Sequence, residues 1–326
     1  MMNSTRMITV TSILSLGTIV SGCEKSQDAQ DQTNPNKNTD QQSLVVGFQK
    51  SQITLLVARK EKLLEQSFQN TKIEWKEFPA GPQLLEALSA GSLDIGSVGN
   101  IPPIFAQAAN KSISYVAYEQ VPKKALGLIV DQASPIHTLK DLKGKKIALQ
   151  KGSAAHDFLN KVLVKADLKW EDISPIWLAP AEARAAFTQK SIDAWVSWDP
   201  YLNVIERDSK VRTLIDDEHF PDAYQFYIAN PKFLSTHPTA VPKFIQATHE
   251  ANTWIAQHPQ EALNFYSKTV GLDSDIAKKY LDKRPSDITV KPIDALVIKS
   301  QQTIADTFFQ EKLMPTNVDI AKAVWK

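Results

Sequence analysis

Apolar and polar positions along this chain alternate between two rhythms, one of strands and one of helices. Residues 44–48 (LVVGF) are a short unbroken apolar run, as a strand buried on both faces requires. Gln49-Lys50-Ser51 then opens a stretch in which Ile53, Leu56, Val57, Leu63, Leu64 and Phe68 follow helical spacing, predicting one helix. A strand over 72–78, a helix over 82–90 closed by Gly91, and a strand over 93–98 follow, the last feeding the loop Gly99-Asn100-Ile101.

The same order returns about a hundred residues later. A strand over 146–149, the turn Gln150-Lys151-Gly152-Ser153, a helix over 154–164, a strand over 173–178, a helix over 181–189 and a strand over 192–197 lead to the loop Trp198-Asp199-Pro200. Gln49 to Asp94 spans 45 positions and Gln150 to Asp193 spans 43, while Asp94 to Asn100 and Asp193 to Asp199 are both six. Two copies make no solenoid; they read as two similar α/β lobes. After Pro231 the pattern is helical over 240–257, 259–269, 274–283 and 292–313, with Val241, Phe244, Ile245, Thr248 and Ile255 forming a packing stripe. These helices are expected to return onto the first lobe. The division predicted is lobe I at 44–127 and 228–326 and lobe II at 128–227, with extended crossovers at 125–131 and 225–229.

Alternating strands and helices give mostly parallel sheets, and such sheets gather ligands at the carboxyl ends of their strands. Three loops per lobe qualify: 49–52, 79–83 and 99–101 in the first, and 150–156, 179–184 and 198–201 in the second. If the lobes face one another, all six border one cleft.

The beginning of the chain has a different character. Arg6 precedes an apolar stretch over 7–20, too short for a membrane span of about 17–25 residues. It ends in Val20-Ser21-Gly22-Cys23, which resembles the bacterial lipoprotein cleavage box, so residues 1–22 read as a signal peptide and Cys23 as the lipidated residue. Cys23 is the one cysteine in the 326 residues, which removes intramolecular disulfides and multi-cysteine metal sites from consideration. Residues 24–43 carry a single Ala and no larger apolar side chain, so 23–43 is expected to be a disordered tether. With 43% hydrophobic residues, 22% charged and a net charge of +1, the chain has neither a nucleic-acid footprint nor a polybasic membrane patch. Membrane association is expected through the lipid alone.

Several segments carry a resemblance to a known family. EFPAGPQLLEALSAGSLDIGSVGNIPPIFAQ (77–107), LKGKKIALQKGSAAH (142–156), PAEARAAF (180–187), DAWVSWDPY (193–201) and YLDKRP (280–285) are similar nearly word for word to the aliphatic sulfonate-binding proteins of ABC importers, over essentially all of 44–326. The resemblance implies a type II periplasmic-binding-protein fold, with two α/β lobes joined by a two-segment hinge that close over a small organic sulfonate. It also implies a monomeric receptor without cofactor or metal, on the outer side of a bacterial membrane, that hands its ligand to an ABC permease for sulfur acquisition. Two departures fall at the expected cleft. The first turn reads Gln49-Lys50-Ser51-Gln52 where relatives often have Gly-Ser, and Asn100 stands where Asp is common.

The chemistry of the expected site is consistent with that ligand. A sulfonate is permanently ionised and only accepts hydrogen bonds, so its receptor needs convergent donors. Gly152-Ser153-Ala154 supplies successive amides at a helix start plus a hydroxyl, and Gln49, Ser51 and Asn100 are neutral donors from the facing lobe. Each assignment has an alternative. Ser153 is a ligand donor or a plain helix cap, and Trp198 floors the alkyl chain or belongs to the core. Asp199 caps a helix or meets an amine on the ligand's far end, and Arg184 pairs with the anion or with a carboxylate of its own lobe. His156 either touches the anion or is a solvated helix residue.

No nucleotide-binding glycine loop, nucleophile elbow or HExxH occurs, and the six histidines lack metal-ligand spacing. The rival readings are a receptor for taurine, nitrate or a thiamine precursor, an enzyme on the same fold, and a signalling or adhesion lipoprotein.

Overall fold

The structure, a computed structural model, describes residues 43–326. The signal peptide, Cys23 and the tether up to residue 42 lie outside the described residues; Ser43, expected in the tether, is the first residue of β1.

The first segment runs β1 (Ser43–Phe48), α1 (Ile53–Lys60), α2 (Leu63–Ser67), β2 (Lys72–Glu77), α3 (Gly81–Ser89), β3 (Ile95–Val98), α4 (Ile101–Ala108) and β4 (Ser114–Gln120). The second runs β5 (Leu126–Asp131), β6 (Lys146–Leu149), α5 (Ala154–Ala166), β7 (Ser174–Trp177), α6 (Pro180–Thr188), β8 (Ala194–Trp198), α7 (Tyr201–Asp208) and β9 (Val211–Asp216). The chain then returns through β10 (Tyr224–Ala229), α8 (Pro231–Thr236), α9 (Ala240–Gln257), α10 (Pro259–Val270), α11 (Ser274–Asp282), β11 (Lys291–Pro292) and α12 (Ala295–Gln310).

Two mixed sheets result, ordered β11-β4-β10-β3-β1-β2 and β7-β6-β8-β5-β9. In each, three parallel strands from one half are joined by an antiparallel strand contributed from the other side of a crossing: β10 beside β3, β5 beside β8. Strands β5 and β10 occupy 126–131 and 224–229, so the segments expected to cross between lobes are sheet strands. The sheets exchange at 121–125 and 217–223 instead, and β10, which the boundary at 227/228 divides, lies wholly in the first sheet.

The internal likeness has a local cause. Asp94 and Asp193 stand just before β3 and β8, and each carboxylate accepts the N–H of a residue at the start of the neighbouring strand, Val45 and Lys146, both at 2.7 Å. The turn before each Asp needs one left-handed residue, supplied by Gly91 (φ +76°) in the first lobe and Lys190 (φ +57°) in the second.

The apolar runs reflect burial on both faces. On β1, Leu44, Val46 and Phe48 pack with α1 and α9, whereas Val45 meets the opposite core of Leu84, Ile104 and Phe226. In the second sheet Ile147 and Leu149 face Phe158 and Leu159, and Ala148 faces Trp195 and Ala183. Helix α9 does cover the first sheet, with Val241, Phe244 and Ile255 in its core and the Thr248 hydroxyl turned back to the Phe244 carbonyl at 2.9 Å. The long first helix expected from spacing is two helices, because Lys62 takes φ +54° between them. Strands β4, β9 and β11 and helices α4, α7 and α8 are not among the elements the pattern predicts.

Candidate functional site

A cleft, partly open to solvent, lies where the two sheets point their strand ends at each other. Gln49, Ser51 and Asn100 border it from the first sheet; Ser153, Ala154, Trp198 and Asp199 border it from the second.

The loop after β1 is tied down before any ligand arrives. The Gln49 N–H donates to Gln52 Oε1 (3.0 Å), and both glutamine amides donate to the Ser97 carbonyl, at 3.1 and 2.6 Å. Tyr266 and Tyr280, from α10 and α11, stack at 4.8 Å and donate their hydroxyls to the Lys50 and Ser51 carbonyls. The C-terminal helices thereby set the height of Ser51 in the cleft. Gln49 is 7% exposed with its amide committed to Ser97, so it shapes the wall.

The facing turn starts α5. Gly152 sits at φ +70°, a region that favours glycine. Ser153 caps the helix: its Oγ accepts from the Ala155 N–H at 3.2 Å and donates to the Gln150 carbonyl at 2.8 Å. The hydroxyl is therefore engaged locally, as in the capping alternative. The Ala154 N–H, at the first position of a 13-residue helix, has no acceptor among the described residues and borders the cleft. Ser153, Ala154, Asp157, Phe158 and Lys161 form one face of α5 along the wall.

The lobes touch across the cleft. Asn100 Nδ2 donates to Asp157 Oδ2 at 2.8 Å, and Asp157 also pairs with Lys161 at 2.7 Å. Lys283, at the end of α11, reaches Asp199 Oδ2 (2.8 Å) and Asn203 Oδ1 (3.1 Å). The Asn203 N–H, in the first turn of α7, also stabilises the Asp199 carboxylate, as the capping reading expects. Asp199 is 2% exposed, and burial pushes its pKa up to about 6 against the pull of Lys283.

Three expected site residues do not line the cleft. Gly152 lies behind it, near Phe105 and Pro82. His156 is 1% exposed, neither solvated nor at the cleft, with its ring within 5.8 Å of those of Phe105, Trp170, Trp177 and Phe308. Its Nδ1 accepts the Gly152 N–H at 3.3 Å, and burial, with Lys151 nearby, pushes its pKa down to about 3. Position 156 falls on the α5 face opposite the cleft, which proximity in sequence to Ser153 hid. Arg184 pairs with Asp208 at 2.6 Å on the exposed side of α6, the carboxylate alternative left open above. Trp198 fits both of its readings: it is half-buried, packs partly against the second-lobe core and borders the cleft, edge-on to Tyr201 at 5.9 Å.

Sequence reasoning missed Glu119, Asp157, Lys161, Asp217, Tyr280 and Arg284, all of which line the cleft. The Arg284 side chain is 8% exposed, donates through Nη2 to Thr54 (2.9 Å) and Asn252 (2.7 Å), and stands 3.9 Å from Glu119. Its signal and that of Tyr280 was the YLDKRP segment, and Asp157 and Lys161 were marked by helical spacing from Ser153. Glu119 and Asp217 carry no motif.

The family model described as NMT1/THI5 like matches residues 72–262. The chain is 41% identical to the putative aliphatic sulfonates-binding protein of Escherichia coli K12, over 87% of this chain and 89% of that protein. It is 34% identical to the protein of the same description from Bacillus subtilis 168, over 86% and 84%. Among solved structures, the alkanesulfonate-binding protein SsuA from Xanthomonas axonopodis pv. citri bound to MOPS superposes with a TM-score of 0.84 at 40% identity, covering 87% of this chain and 98% of that one.

Proposed function

This chain belongs to the NMT1/THI5-like family, and on that footing we propose that it is an extracytoplasmic receptor that captures aliphatic sulfonates and delivers them to an ABC import permease for sulfur acquisition. The observation that carries this reading is the convergence of neutral donors from both lobes on one cleft, led by the unpaired Ala154 N–H at the start of α5. A helix N-terminus attracts an anion through its free amides and its dipole, and asks for no proton in exchange. Ser51, Asn100 and the remaining donors of Arg284 supply further contacts, and Trp198 and Phe158 cover the alkyl chain, each buried CH₂ contributing about 0.8 kcal/mol.

In this reading the two sheets with their helices form the lobes, which move about the crossings at 121–125 and 217–223. The Asn100–Asp157 and Lys283–Asp199 contacts form on closure. Nothing is transformed: the ligand is enclosed, and the closed shape is what the permease meets. The protein acts as a monomer held at the membrane by lipid on Cys23.

The test is a thermal-shift panel on the purified protein. Short alkanesulfonates should raise Tm according to RT ln(1 + [L]/Kd), and sulfate, phosphate and nitrate should do much less. Shifts with nitrate or thiamine precursors and none with sulfonates would replace this reading with that of a sister receptor.

A further inference from the structure

A carboxylate stands one helical turn from the free amide that opens α5. Ala154 is the first residue of that helix and Asp157 the fourth, so they are neighbours on one face, with Cβ atoms about 5–6 Å apart, and both border the cleft. The facing loop of the first lobe meets both of them. Gly99 comes so close that a side chain there would lie 3.3 Å from Ala154 Cβ and 4.0 Å from the Ala154 nitrogen. The next residue, Asn100, donates to Asp157 Oδ2 at 2.8 Å. Across the cleft, then, the amide faces the Gly99 backbone and the carboxylate is anchored one residue further on.

Asp157 is held there with its charge. It is 5% exposed, and Lys161, one turn further along α5, meets the same Oδ2 at 2.7 Å. A carboxylate beside a helix start opposes the anion that the free amide attracts, and Lys161, farther from that start, cancels only part of its field. Taking the carboxylate at about 6 Å from the anion, the ammonium at about 9 Å and an effective dielectric of about 20, the remainder disfavours each ligand charge by about fivefold. Removing an anion from water costs roughly the square of its charge, whereas the attraction of the site grows only in proportion to it. A potential trimmed in this way compensates one charge and not two.

We propose that Asp157 is a specificity-determining residue that restricts the cleft to tetrahedral heads carrying a single negative charge, so that alkyl sulfate esters enter alongside alkanesulfonates while phosphate monoesters, their doubly charged isosteres, do not. The donors of the site address three oxygens that a sulfonate and a sulfate ester share, and Trp198 and Phe158 meet the chain with apolar faces in either case. This assignment rests on the sulfonate reading above and deepens it.

The test takes three ligands of matched shape in calorimetric titrations of the purified protein at pH 8. Propanesulfonate and ethyl sulfate carry one charge; ethyl phosphate, with a second pKa of about 6, is almost entirely the dianion. Ethyl sulfate should bind the wild type within about tenfold of propanesulfonate, and ethyl phosphate about ten- to a hundredfold more weakly than ethyl sulfate. Asp157→Asn should lower that second ratio by about tenfold. The double variant Asp157→Asn/Lys161→Met, which also removes the attraction of the released lysine, should lower it by about fivefold. Ratios taken within one protein cancel any loss common to all ligands from the altered contact with Asn100, and the other cleft carboxylates, Glu119, Asp199 and Asp217, are the same in every variant. Wild-type protein that binds ethyl phosphate as tightly as ethyl sulfate, or that rejects ethyl sulfate while binding propanesulfonate, would overturn the proposal without any variant. So would an unchanged ratio in either folded variant. Failure of propanesulfonate itself to bind the wild type would instead remove the underlying sulfonate reading and this proposal with it.

Discussion

Replacing Lys283 with Met should make ligand affinity depend on pH where the wild-type protein shows no dependence. Lys283 is the cation that lets Asp199, 2% exposed, remain ionised when the lobes are closed, and even so burial raises that carboxyl to about 6. If the lobes open as proposed, Asp199 is solvated in the open form and titrates near its usual value of about 3.9. A closed-state pKa above the open-state value favours closure fully below about pH 4, and that contribution is lost as pH rises through about 6. Above pH 6 both states of the wild type carry the charge, and its affinity for propanesulfonate should be flat.

Without Lys283 the closed state can keep Asp199 only as the neutral acid. The penalty relative to wild type is then about 1.4 kcal/mol for each pH unit above 6: about tenfold in affinity at pH 7, about a hundredfold at pH 8, and almost nothing at pH 5.5. This is below the ~3–5 kcal/mol usual for breaking a buried ion pair, because protonation offers an escape. Glu206 also faces Asp199 and remains in both proteins, so it does not alter the comparison. Calorimetric titration at pH 5.5, 7 and 8 provides the measurement, with proton uptake read from two buffers of different ionisation heat. Parallel pH curves for wild type and Lys283→Met, with affinities within about twofold at pH 8, would refute the interlobe role of this pair.

Trp198→Ala should weaken long-chain sulfonates more than methanesulfonate, seen as a flatter chain-length series of dissociation constants; an unchanged slope would assign Trp198 to the core alone. Ser153→Ala removes the α5 cap and should cost about 1 kcal/mol of stability in denaturant titration, with affinity falling only as far as the Ala154 amide is displaced. His156 has a folded pKa of about 3 against a usual value near 6.5, so its contribution to stability is complete above about pH 6.5 and falls by about 1.4 kcal/mol per unit as pH drops towards 3. Asp199 and Asp217 shift stability in the opposite direction over part of that range, so the measurement is a difference: His156→Gln should gain on wild type between pH 6.5 and 5 in thermal melts, and equal slopes would contradict the buried, neutral imidazole.

By itself the sequence determined the repeating strand–helix order, because strands buried on both faces must be apolar throughout and helices must show a stripe. It also pointed to the cleft loops, because chain direction in parallel sheets puts strand carboxyl ends on one side; five of the six expected loops border the cleft, and 179–184 does not. Asp94 and Asp193 could be matched through their spacing, and each folds against the first parallel strand of its sheet, β1 and β6, as equivalent residues should. What the sequence could not settle was direction across an element and contact between distant ones. His156 and Asp157 are adjacent, yet one is enclosed by rings behind α5 and the other reaches Asn100 across the cleft. Lys283 meets Asp199 over 84 positions and Arg284 meets Thr54 over 230, pairings that no local periodicity records. The crossing points at 121–125 and 217–223 were misplaced because β5 and β10 are as apolar as any strand; only the hydrogen-bond ladder decides which sheet each joins. Local pattern specifies what each segment becomes, whereas burial and the charges of chain-distant neighbours specify which side chains face the ligand.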